Sequence, residues 1–143
     1  MGRFRIPWGV AAAHASRVQV LIVDDSAIVR LRLAELLESV EHVAVAGQAG
    51  GVTQAIAAMR ELRPDLVILD IQMPDGDGVA VLAAAKLLEP APAVMMLTNY
   101  VDDQQRLRCV AAGADFFLDK SKQFEEIPRI LRAMMQQGVP GHG

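Results

Sequence analysis

Two hydrophobic periods take turns along this chain. Residues 18–23 (Val-Gln-Val-Leu-Ile-Val) form a short β-branched run closed by two acids, and apolarity this continuous marks a strand buried on both faces. Val29, Leu33, Leu36, Leu37 and Val40 then recur at helical spacing, with Arg30, Arg32, Glu35 and Glu38 left to face water. The cycle repeats. Residues 42–46 read as a strand, 52–62 as a helix, and 66–69 as a second fully apolar strand that ends at Asp70. Residues 78–88 read as a helix, 93–97 as a strand, 101–112 as a helix ended by Gly113, 115–118 as a strand and 124–137 as a last helix. Five strands alternating with five helices through short connections predict an α/β fold: a parallel sheet with right-handed crossovers and helices on both faces.

The length, 143 residues, suits one domain, and 52% hydrophobic residues suffice for a core. The fold is expected over residues 17–137. Arg3 and Arg5 precede an apolar stretch that Pro7 and Gly9 break, too short for a secretory leader, so residues 1–16 read as a flexible extension. Residues 138–143 read as a tail. A formal net charge of -3 without a basic run gives no sign of a nucleic-acid or membrane surface and favours protein partners. Cys109, the sole cysteine, excludes an internal disulfide and fits the reducing cytoplasm as a small buried group.

In a sheet of this kind ligands bind beyond the carboxyl ends of the strands, where strand order reverses. The first strand ends in Asp24-Asp25, the third in Asp70 and the fourth in Thr98, and the last reaches Lys120. Three converging carboxylates would repel one another, so the arrangement calls for a cation, and an all-oxygen site suits Mg²⁺ (or Mn²⁺). Lys120 and Thr98 then offer a positive charge and a hydroxyl to phosphoryl oxygens, and Asp70 can act as nucleophile. Taken singly, each has a plainer reading: Asp24 and Asp25 as helix caps, Asp70 as a loop acid, Lys120 as a surface charge and Phe117 as core. Residues 74–78 mimic part of a calcium loop, but Val81 stands where such a loop needs its bidentate Glu, so they read as a turn. Met95, Met96, Met134 and Met135 read as packing residues, and His14, His42 and His142 carry no ligand role.

The blocks Val23-Asp24-Asp25-Ser26, residues 69–78 (Leu-Asp-Ile-Gln-Met-Pro-Asp-Gly-Asp-Gly), Met96-Leu97-Thr98 and residues 113–120 (Gly-Ala-Asp-Phe-Phe-Leu-Asp-Lys) resemble the signature blocks of response-regulator receiver domains, the CheY-like superfamily of two-component signalling. The resemblance covers nearly the whole chain. It implies a flavodoxin-like three-layer sandwich with strand order 2-1-3-4-5 and Asp70 as phosphoacceptor. It also implies that Asp24, Asp25, Asp70 and the main-chain carbonyl of Gln72 hold the metal, and that Thr98 and Lys120 bind the phosphoryl group. Thr98 and Phe117 would form the switch, with output through the face of the fourth helix, last strand and last helix, to a protein target or a second copy. The phosphoryl donor implied is a sensor histidine kinase or phosphotransfer protein. Gln72 and Tyr100 occupy the positions that tune dephosphorylation in this family.

Three residues depart from the family pattern. Ser121 follows the lysine where proline is usual; a non-proline cis bond costs roughly 2.5–4 kcal/mol, which favours trans. Asp119 beside Lys120 should point away from the site by strand alternation. Asn99 stands where alanine, glycine or serine is usual in the family and would narrow phosphoryl access. The chain as given reads as a free-standing receiver, an assisted phosphoacceptor and not a conventional enzyme; the alternative is the receiver fragment of a DNA-binding regulator, which the Lys-Ser ending also resembles. Two further readings are a phosphorylation-independent interaction module, against which the intact acids and Lys120 speak, and a flavodoxin relative, for which Asp24-Asp25-Ser26 carries the wrong charge.

Overall fold

The computed structural model describes residues 17–99 and 102–137. Five strands, β1 (Val18–Val23), β2 (Val43–Ala49), β3 (Leu66–Leu69), β4 (Ala93–Thr98) and β5 (Phe116–Asp119), form one parallel sheet in the order β2-β1-β3-β4-β5. Helices α1 (Ala27–Glu38), α2 (Val52–Leu62), α3 (Gly78–Lys86), α4 (Asp103–Ala111) and α5 (Ile127–Gln137) follow the strands in turn. This is the flavodoxin-like sandwich and the strand order expected.

The continuous apolar runs are what place β1, β3 and β4 in the centre. Along β1, Val20 and Ile22 face one layer while Leu21 and Val23 face the other, so both sides of the strand must be covered. Leu33 and Leu37 of α1 with Ile127, Leu131 and Met134 of α5 close one side. Ala55 and Met59 of α2, Val81, Leu82 and Ala85 of α3, and Cys109 of α4 close the other. Burial pushes the Cys109 thiol above its ordinary value, as suits a packing residue.

Element boundaries differ from the sequence reading for local reasons. His42 adopts a left-handed conformation (φ 67°) in the turn before β2, so the strand begins at Val43. It then runs through Gly47 to Ala49, with a register shift that leaves Ala46 unpaired between the Val20–Val45 and Leu21–Gly47 partners. Helix α3 stops at Lys86, and α4 starts at Asp103 behind its cap, Asp102. The last predicted helix is divided into a one-turn helix (Lys120–Gln123), a 3-10 turn (Phe124–Glu126) and α5. Pro128 explains the break, since it has no N–H to offer the Phe124 carbonyl, which instead accepts from Ile127. Residues 1–16, 138–143, Tyr100 and Val101, with the readings made on them, lie outside the described residues. No helix among the described residues is long and apolar enough to cross a membrane.

Candidate functional site

The chain leaves β1 for β2 at one edge and returns to β3 on the other side of β1, so the loops after β1 and β3 diverge at their carboxyl ends. The crevice between them is an open pocket of about 560 Å³ lined by Asp24, Asp25, Asp70, Gln72, Thr98, Asn99 and Lys120, with Ser26 and Met73 among its other walls. The residues predicted from the strand ends therefore meet. A smaller cleft of about 310 Å³ at the opposite end, lined by residues such as Arg63, Pro64 and Glu89, has no such cluster.

Each side chain is held by its local backbone. Asp24 is 2% exposed; its Oδ1 accepts from the Ser26 N–H at 2.9 Å and its Oδ2 from Lys120 Nζ at 2.6 Å. The same ammonium makes a longer bond to Asp70 Oδ2, at 3.3 Å. Asp25 is exposed, and one carboxylate oxygen from each of Asp24, Asp25 and Asp70 lies within 4.8 Å of the others. Ser26 then caps α1 by accepting from the Val29 N–H. Beneath Asp70 the backbone is tightly folded: Gly78 N–H donates to the Ile71 carbonyl, and a Cβ at Gly78 would collide with the Asp70 carbonyl oxygen.

Burial raises the Asp70 carboxyl above its ordinary pKa; Lys120 pulls it down, the charge of Asp24 pushes it up, and the Gln72 N–H favours ionisation. For Lys120 burial acts downward, yet the hydrogen bond to Asp24 and the charges of Asp70 and Asp24 hold its pKa above that of an ordinary lysine. Fully ionised, three carboxylates face one ammonium, leaving a surplus of two negative charges. The donor set fits a small divalent cation that prefers oxygen ligands.

Thr98 ends β4, 2% exposed and facing the pocket. Phe117 is half-buried in β5 against the α2–α3–α4 layer, with the Arg106 guanidinium 5.1 Å from its ring centre. Asp119 turns away from Lys120, as alternation predicts, and accepts from the Ser121 hydroxyl and from the N–H groups of Ser121 and Lys122. These bonds hold the Asp119 carboxyl below its ordinary pKa, the Ser121 hydroxyl most of all. Among the described residues the one cis peptide is Glu89-Pro90, so Lys120-Ser121 is trans. Tyr100, expected with Gln72 to tune dephosphorylation, lies outside the described residues.

Two residues that sequence reasoning did not select support the site from outside. Arg30, read as facing water, is instead half-buried: its Nη1 donates to the Asp24 carbonyl at 2.6 Å and its Nε to Gln48 Oε1 at 3.2 Å. Asp75, in the turn after Gln72, accepts from the Val52 and Thr53 N–H groups at the start of α2. Helical spacing identifies neither, because both act across elements.

Comparison with known proteins agrees with this geometry. The sequence profile described as "Response regulator receiver domain" matches residues 20–132. The response regulator VraR of Staphylococcus aureus is 33% identical over 115 residues, 80% of this chain and 55% of VraR. Among solved structures, the signal receiver domain of NarL from Mycobacterium tuberculosis superposes with a TM-score of 0.77 at 26% identity, covering 85% of this chain and 98% of that one. A chain of the CheX–CheY–BeF3–Mg²⁺ complex from Borrelia burgdorferi superposes with a TM-score of 0.73 at 25% identity, covering 87% and 97%. The chain belongs to the response-regulator receiver family of two-component signalling, a class of phosphoacceptor switches that bind Mg²⁺ in an acidic pocket. It spans little more than half the length of the curated relatives it matches.

Proposed function

We propose that Asp70 is the phosphoacceptor of this receiver, served by Asp24, Asp25 and the Gln72 main-chain carbonyl as further metal-binding groups. The observation that carries the proposal is the meeting of the three carboxylates with Lys120 at one crevice, although these residues lie far apart in sequence. A bound Mg²⁺ would screen the charge between Asp70 and an incoming phosphoryl group. An Asp70 carboxylate oxygen attacks phosphorus, the phosphorus–nitrogen bond of a phosphohistidine donor breaks, and the imidazole leaves as an acyl phosphate forms on Asp70. Lys120 gives up its longer bond to Asp70 and donates to a phosphoryl oxygen, as does the Thr98 hydroxyl. The inward pull on Thr98 is passed to Phe117, which changes the face of α4, β5 and α5 toward a protein target or a second copy. Donors are a sensor histidine kinase or phosphotransfer protein, and the site of action is the cytoplasm. The share of VraR that aligns favours a second reading of the chain's context, as the receiver part of a longer regulator.

The site is tested by calorimetric titration with beryllofluoride, a phosphoryl mimic. Wild type should bind it only with Mg²⁺ present, and Asp70→Asn should not bind it. Binding that ignores both Mg²⁺ and the substitution would refute the assignment.

A further inference from the structure

The segment Gln48–Thr53, from the end of β2 into α2, lines no part of the acidic pocket, yet both loops that carry the metal-binding groups are fastened to it. The first fastening is Arg30, whose guanidinium joins the Asp24 carbonyl to the side chain of Gln48. That carbonyl belongs to the peptide between Asp24 and Asp25, so the bond fixes the relative placement of the two acids. The second is Asp75, three residues beyond Gln72, whose Oδ1 accepts from Val52 N–H at 2.7 Å and Oδ2 from Thr53 N–H at 3.2 Å. Asp75 also closes the two-residue ribbon in which Gln72 pairs with Asp77 and Met73 with Gly76.

The glycine pair between these fastenings has a steric reason. A Cβ on Gly50 would lie 3.2 Å from Arg30 Nη1, and one on Gly51 would lie 2.8 Å from Asp75 Oδ1. Gly51 has extended backbone that any residue adopts (φ -162°, ψ 174°), so its lack of a side chain serves the Asp75 carboxylate and not the chain's conformation. A short aspartate held at both oxygens has little room to yield.

We infer that Arg30 and Asp75 are positioning residues of the metal site, each tying one ligand-bearing loop to the Gln48–Thr53 segment, with Gly50 and Gly51 leaving the space for them. The inference rests on the metal-binding role given above to Asp24, Asp25 and the Gln72 carbonyl. Neither residue lines the pocket, so each acts through the backbone that the ligands share. Outer partners of this kind set how closely a metal's ligands are preorganised.

The test is calorimetric Mg²⁺ affinity of the full chain, measured well below the melting temperature so that every variant is folded. Asp75→Ala and Arg30→Ala should each weaken Mg²⁺ binding by about tenfold, the lower end of what losing such a partner costs. Asp75→Asn, whose side-chain oxygen still accepts from a backbone N–H, should recover most of the affinity. Gly51→Ala should resemble Asp75→Ala, and the two combined should lose no more than either alone. Wild-type affinity in folded Asp75→Ala and Arg30→Ala would overturn the inference while leaving the metal site intact. Failure of the wild-type chain to bind Mg²⁺ would overturn the site reading and this inference with it.

Discussion

At the scale of single residues, burial and charge decide what each acid can do. Asp24 and Asp70 sit where an unpaired carboxylate would be costly, and one ammonium serves both at unequal distances, 2.6 and 3.3 Å. The weaker bond is the one that phosphorylation of Asp70 would replace. Asp119 is a carboxylate of another kind, only partly buried and engaged by the turn that carries Lys120. Its folded pKa is lowered, so the stability it contributes is present above the unfolded carboxylate value and lost as pH falls through the folded one. Thermal melts across acid pH should therefore show Asp119→Ala below wild type at neutral pH, with the gap closing on acidification. A constant gap would contradict this account. The identities of Asp24, Asp25, Asp70, Thr98 and Lys120 were legible in sequence because strand ends can be read from periodicity. Arg30 and Asp75 were not, because a polar residue on a helix or turn carries no mark of which backbone group it reaches across space.

At the scale of elements, continuous apolar runs and amphipathic spacing were sufficient to place all five strands and five helices. Their ends were not legible where backbone conformation intervenes: His42 turns left-handed, and Pro128 divides the last helix. The edge of the sheet remote from the pocket is tied by side chains instead. Lys86 at the end of α3 donates to Asp115 and to the Pro92 carbonyl, while Asp115 also accepts from the N–H of Val94, the second residue of β4. Asp115→Ala leaves the Val94 N–H unpaired and Lys86 with the Pro92 carbonyl alone, in a partly buried setting, and should cost roughly 1–3 kcal/mol in urea unfolding. Since this clamp lies at the opposite ends of the strands from the acids, Mg²⁺ affinity should stay at the wild-type level. A parallel loss of affinity would show that the two ends are coupled.

At the scale of the whole molecule, the fold divides its labour along the strand axis. Connections at the amino ends of the strands close the structure, and those at the carboxyl ends carry the chemistry, as parallel sheets with a strand-order reversal commonly do. The reversal beside β1 opens the crevice, and the helices behind it supply the core, against which Phe117 of β5 packs beside Arg106 of α4. Family membership and geometry thus meet on one claim, that Asp70 receives a phosphoryl group in a Mg²⁺-dependent manner. Intact mass after incubation with acetyl phosphate tests it most directly. The account predicts a single phosphoryl adduct that requires Mg²⁺, maps to Asp70 and is absent from Asp70→Asn. An adduct of the same yield in Asp70→Asn, or one indifferent to removal of Mg²⁺, would contradict it.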